Sequence, residues 1–70
     1  MSMATLYEKL GHNIKRLRKS RNLSQEELAL RATLDLTSIS ETESGLRNSS
    51  LKTIQKLAKA LNVEPYELLK

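Results

Sequence analysis

Cysteine, phenylalanine and tryptophan are all absent from these 70 residues. Without a thiol there is no disulfide and no thiolate-held metal. His12 is the only histidine. It therefore lacks a second imidazole for a metal, and no motif sets it beside a nucleophile. Gly11 and Gly45 are the only glycines and do not make a phosphate-cradling loop. An enzyme is not expected, and no metal, cofactor or small-molecule ligand is required. With a single proline as well, the chain is too poor in turn formers for an all-β fold, and helices are favoured. No apolar run approaches a membrane span or a signal-peptide core, so the expectation is a cytoplasmic protein with no membrane partner.

What is present is leucine and charge. Hydrophobic residues make up 39% of the chain, with Tyr7 and Tyr66 its only aromatics. The length suits a single domain over 1–70, and a domain of this size buries only about 60% of the surface its unfolded chain exposes. Pairing of two copies adds apolar burial, so a homo-oligomer is a reasonable expectation. The net charge of +4 is unevenly spread. Residues 1–22 carry six basic and one acidic side chain, residues 23–44 one basic and five acidic, and residues 45–70 five basic and two acidic. Basic ends around an acidic middle suit an anionic partner, although the same residues serve equally as ordinary solvated faces.

Start and stop signals divide the chain into five short helices. Thr5-Leu6-Tyr7-Glu8 has the pattern of a capping box. It opens a helix with Leu6, Leu10, Ile14 and Leu17 on one face, and "SRN" at 20–22 closes it. Ser24-Gln25-Glu26-Glu27 is a second capping box, spanned by a Leu23–Leu28 staple, for a helix reaching about Ala32. Asp35 caps a third, with Leu34 and Ile39 at the staple positions and Gly45 as terminator. Ser50 caps a fourth that carries Leu51, Ile54, Leu57, Ala58 and Leu61 on one face, and Pro65 opens a last turn or two. Only Thr33 and Leu34 separate the second helix from the cap of the third. Helices joined that tightly cross steeply, which is helix-turn-helix geometry over about 24–44.

The segments IKRLRKSRNLSQEELA (14–29), LDLTSISETESG (34–45) and SLKTIQKLAKALNV (50–63) together resemble the Cro/repressor-type (XRE-like) helix-turn-helix family. The resemblance implies an all-α, compact five-helix bundle whose third helix enters the major groove of double-stranded DNA. It implies that Leu36, Thr37, Ser40 and Glu41 face base edges. Gln25, Arg47 and Asn48 match phosphate contacts, and Lys52 and Ser38 join them as candidates. Arg18 and Glu43 match a buried ion pair tying the first helix to the third. Members often pair through their last elements, which makes Val63, Tyr66 and Leu69 the expected interface of a homodimer, the alternative being that they cover the first helix from about Leu6 to Leu10. "RNSSL" at 47–51 is similar to the controller proteins of restriction–modification systems. Two residues depart from the family. Leu36 stands where a polar residue is usual. Thr33 stands at a corner that needs positive φ and usually holds Gly or Asn, a costly place for a β-branched side chain.

Three carboxylates in the third-helix segment are compatible with DNA once each has a role. Asp35 suits the N-cap and the helix dipole. Glu43 belongs with Arg18. Glu41 either accepts from a cytosine amino group or is a solvated surface residue. Leu36 packs on a thymine methyl, contacts another protein, or stands idle in solvent. Neutralised phosphates would supply most of the affinity and base contacts the choice. The functional expectation is a sequence-specific transcriptional regulator, dimeric on a palindromic operator, with a restriction–modification controller as the subfamily. The alternatives are an antitoxin or phage-type repressor, or a protein-interaction module that kept the fold without binding DNA. In that last case Leu30, Leu36 and Leu46 would form the contact face.

Overall fold

The computed structural model describes residues 3–46 and 49–70, with side chains from residue 6 onward. Four α-helices follow one another: α1 (Met3–Ser20), α2 (Gln25–Ala32), α3 (Leu36–Glu43) and α4 (Leu51–Leu61). A 3₁₀ turn, Pro65–Leu68, comes last. The fold is all-α, with no strand among the described residues. The described residues form four helices and a turn rather than five helices. The final segment is too short to propagate an α-helix and closes with i→i−3 bonds, Glu67 N to Glu64 O at 2.9 Å and Leu69 N to Tyr66 O at 3.0 Å.

Helix α1 also starts earlier than its capping pattern implied. Thr5 lies inside the helix, because Ala4, the strongest of helix formers, carries the helical conformation back to Met3. Ser24 and Ser50 cap their helices as expected, whereas Asp35 takes the N-cap position of α3 without a side-chain hydrogen bond to the helix amides. Ser24 accepts from the Glu27 amide while Glu27 accepts from the Ser24 amide at 2.8 Å, a closed capping box. Ser50 accepts from the Thr53 amide at 3.2 Å.

All four helices end in one way. A residue at positive φ follows each helix: Asn22 (56°), Thr33 (57°), Gly45 (78°) and Asn62 (59°). Its amide bonds three residues back, and the next amide bonds five residues back, as in Asn22 to Lys19 and Leu23 to Arg18. This is the Schellman arrangement. The residue after each of these positions is apolar. Leu23, Leu34 and Val63 turn into or against the core, whereas Leu46 is 83% exposed.

The core sits where α1 meets α3, α4 and the 3₁₀ turn, and where α2 meets α3 and α4. Leu10, Ile14, Leu28, Ile39, Leu57 and Leu68 are almost solvent-free and come from all five elements. Leu51, expected on the core face of α4, is 78% exposed instead. It lies in the first turn of α4, and the buried face of that helix begins only at Ile54. Asn13, in the middle of α1, donates from Nδ2 to the Leu68 carbonyl at 3.0 Å and so ties down the C-terminal turn. Gly11 lets α1 approach α3 closely. A Cβ there would stand 2.4 Å from the Thr42 carbonyl oxygen and 2.6 Å from that of Glu43.

Candidate nucleic-acid interface

The turn between α2 and α3 is built on Thr33 (φ 57°, ψ 46°), with the Leu34 amide reaching back to the Ala29 carbonyl at 2.9 Å. Asp35 then takes the extended backbone of an N-cap (φ −83°, ψ 160°), and its carboxylate accepts the Ser38 hydroxyl. Helix α3 buries Ser38, Ile39 and Thr42. With 3.6 residues per turn, positions 36, 37, 40 and 41 fall on the opposite side. Leu36, Thr37, Ser40 and Glu41 are accordingly exposed together, Leu36 at 46%. Ser38 lies on the inner side, only 7% exposed, with its hydroxyl turned to Asp35. Its place is within the start of the helix rather than on the outer face expected of a phosphate contact.

Behind this face lies a polar cluster linking three elements. Arg18 meets the Glu43 carboxylate side-on, Nε to Oε2 at 2.6 Å and Nη2 to Oε1 at 3.1 Å, while Nη1 donates to the Leu23 carbonyl at 2.8 Å. The two side chains are 10% and 3% exposed. This bidentate geometry is the strong form of the pair, and burial makes it costly to break. Gln25, the first residue of α2, donates from Nε2 to Glu43 Oε1 at 3.1 Å. This second partner of Glu43 has no counterpart in the sequence pattern. The Gln25–Glu43 separation of 18 residues leaves no periodic signal in the sequence.

The remaining candidates are spread around this cluster. Lys52 is exposed in the first turn of α4, and Thr42 and Ser49 share a hydroxyl contact at 3.3 Å that fastens α3 to the following loop. Arg47 and Asn48 lie outside the described residues. His12, Lys15, Arg16 and Lys19, all on α1, line an open basic groove of about 270 Å³. At the C-terminal end Tyr66 is 63% exposed with the Lys70 ammonium 5.8 Å from its ring centre, Leu69 is 38% exposed, and Val63 is half-buried against the core. Among the described residues no group of carboxylates or imidazoles is placed to hold a metal ion, and no helix is long and apolar enough to cross a membrane.

A family model described as "Helix-turn-helix" matches residues 14–68, from the middle of α1 to the last turn. The chain belongs to the XRE-like helix-turn-helix family. Members of this helix-turn-helix family are DNA-binding transcriptional regulators, not enzymes. One relative is the control protein C.BamHI of Bacillus amyloliquefaciens, 47% identical over 60 residues that cover 84% of this chain and 74% of that protein. Among solved structures the chain is similar to the restriction–modification controller protein C.AhdI from Aeromonas hydrophila. The TM-score is 0.86 at 45% identity, covering 89% of this chain and 94% of that one. A hypothetical transcription factor from Neisseria gives 0.89 at 40% identity, covering 93% of this chain and 75% of the other.

Proposed function

We propose that this helix-turn-helix protein is a sequence-specific regulator that binds a palindromic operator as a homodimer and serves as the controller of a restriction–modification system. The observation that carries this reading is the outward face of α3, where Leu36, Thr37, Ser40 and Glu41 are exposed together, with Gln25 tied to the last residue of that helix, Glu43. A helix entering the major groove needs such a face, and the residue at the start of the preceding helix borders the sugar–phosphate backbone. Leu36 offers a methyl surface to thymine, Glu41 an acceptor to cytosine, and Thr37 and Ser40 hydroxyls that pair with several edges. Gln25, Arg47, Asn48 and Lys52 hold phosphates. The controller assignment is supported by likeness to proteins named as control or controller proteins.

Selection of bound sequences from a random duplex pool is the test. A palindrome whose half-sites lie one helical turn apart is the expected product. Arg47→Ala should weaken binding to every duplex and lower the salt slope by about 1, since one phosphate is no longer neutralised. Leu36→Ala should relax preference at a thymine position while leaving the slope unchanged. If the wild type retards no duplex at low salt, the regulator reading is wrong.

A further inference from the structure

Glu43 does more than close an ion pair. Its Oε1 accepts two hydrogen bonds at 3.1 Å each, from Arg18 Nη2 and from Gln25 Nε2. A carboxylate only accepts, so Glu43 admits only the NH₂ end of the Gln25 amide and thereby selects one of its two orientations. One N–H of Nε2 goes to Glu43, and the other remains to donate elsewhere. A phosphate oxygen also only accepts, and this second N–H is the donor it needs. The carboxylate is itself held by Arg18, whose Nη1 is anchored on the Leu23 carbonyl at 2.8 Å. A chain of contacts therefore runs from the end of α1 through the end of α3 to the start of α2. Because Arg18 offsets the charge of Glu43, the carboxylate can stand behind Gln25 without repelling DNA.

We propose that Glu43 is a positioning residue for DNA binding: through Gln25 it presets, in the free protein, the N–H that meets the backbone phosphate. The proposal rests on the reading that Gln25 is a phosphate contact. Its physical advantage is that the glutamine side chain is ordered before binding, so less rotamer entropy is lost when the complex forms.

The test is a double-mutant cycle on duplex affinity with Gln25→Ala, Glu43→Gln and the double variant, at a temperature where each is folded by circular dichroism. Gln25→Ala should weaken binding about tenfold on all sequences, the weight of one hydrogen bond to a charged oxygen. Its salt slope should be unchanged, because glutamine releases no counterion. Glu43→Gln alone should cost several-fold in affinity, and in the Gln25→Ala background it should cost nothing more. Full additivity would mean that Glu43 acts only through the fold, and would overturn the proposal while leaving the regulator reading intact. An unchanged affinity for Gln25→Ala removes Gln25 from the interface, and the proposal with it. Should Glu43→Gln fail to fold, side-chain ¹⁵N relaxation of Gln25 in the free wild type decides the matter. A rigid amide supports presetting, and a freely mobile one refutes it.

Discussion

Thr33 holds the corner between α2 and α3 at φ 57°, a conformation that costs an ordinary L-residue about 1–2 kcal/mol. The same Schellman position after α1 and α4 is filled by Asn22 and Asn62, and after α3 by Gly45. Thr33 is exposed, so an asparagine there meets no obstacle. Thr33→Asn should therefore stabilise the domain by about 1 kcal/mol and raise its melting temperature by roughly 4–8 °C. A melt at or below the wild-type temperature would show the corner to be unstrained. Gly11 is the opposite case. Its helical backbone invites alanine on propensity alone, yet a Cβ would meet the backbone of Thr42 and Glu43, which cannot swing aside as a side chain does. Gly11→Ala should destabilise by about 1–3 kcal/mol, read by chemical denaturation, despite the better helix former. The corner problem at Thr33 was visible in the sequence because it depends on local backbone geometry. The close approach at Gly11 was not, since it is set by a helix 31 residues further along.

At the level of elements, short-range chemistry settles where helices start and stop. The capping box of α2 shows it electrostatically. The Glu27 carboxyl is held below its ordinary value of 4.5, first by the hydrogen bond from the Ser24 amide, then by the Ser24 side chain, with Arg31 adding attraction. A carboxylate that is more acidic folded than unfolded stabilises the fold above its unfolded value, and that contribution is lost as pH falls through the folded value. The melting-temperature gap between wild type and Glu27→Gln should therefore be largest near neutrality and close below the ordinary carboxylate range. A gap independent of pH would remove the cap's electrostatic part. The limits of such local inference appear at both ends of the chain. The α1 pattern at Thr5–Glu8 is overrun because Ala4, a strong helix former, carries the helix back to Met3, and Pro65 opens a turn too short to become a helix. Leu51 has the correct spacing for the α4 face but stands ahead of the layer that covers it.

The whole molecule extends 32 Å along its longest axis, about the distance separating two major-groove faces one turn apart. A single copy carries one α3, the helix proposed to read bases, so reading the proposed palindrome demands two copies. Tyr66 and Leu69 at the C-terminal turn, with Val63 beside them, are the surface proposed to join them. Sedimentation velocity at micromolar concentration should give a dimer, and Tyr66→Asp combined with Leu69→Asp should give a folded monomer. That monomer should lose far more affinity for the full palindrome than for a half-site, because it forgoes the linked second binding event. A wild type that stays monomeric at high concentration would reject this interface.

From the sequence alone follow the helical class, the two central helices with their tight corner, the outward set on α3 and the pairing of Arg18 with Glu43. Each of these depends on periodicity, on capping chemistry within a few residues, or on a family pattern carried by residues in register. Tertiary structure alone decided that Ser38 faces inward, that Gly11 is a contact point, that Asn13 fastens the last turn and that Gln25 shares the carboxylate of Glu43. Those contacts join residues 18 to 55 positions apart or depend on which side of a short helix the core claims. Packing brings them together, and no local periodicity records it.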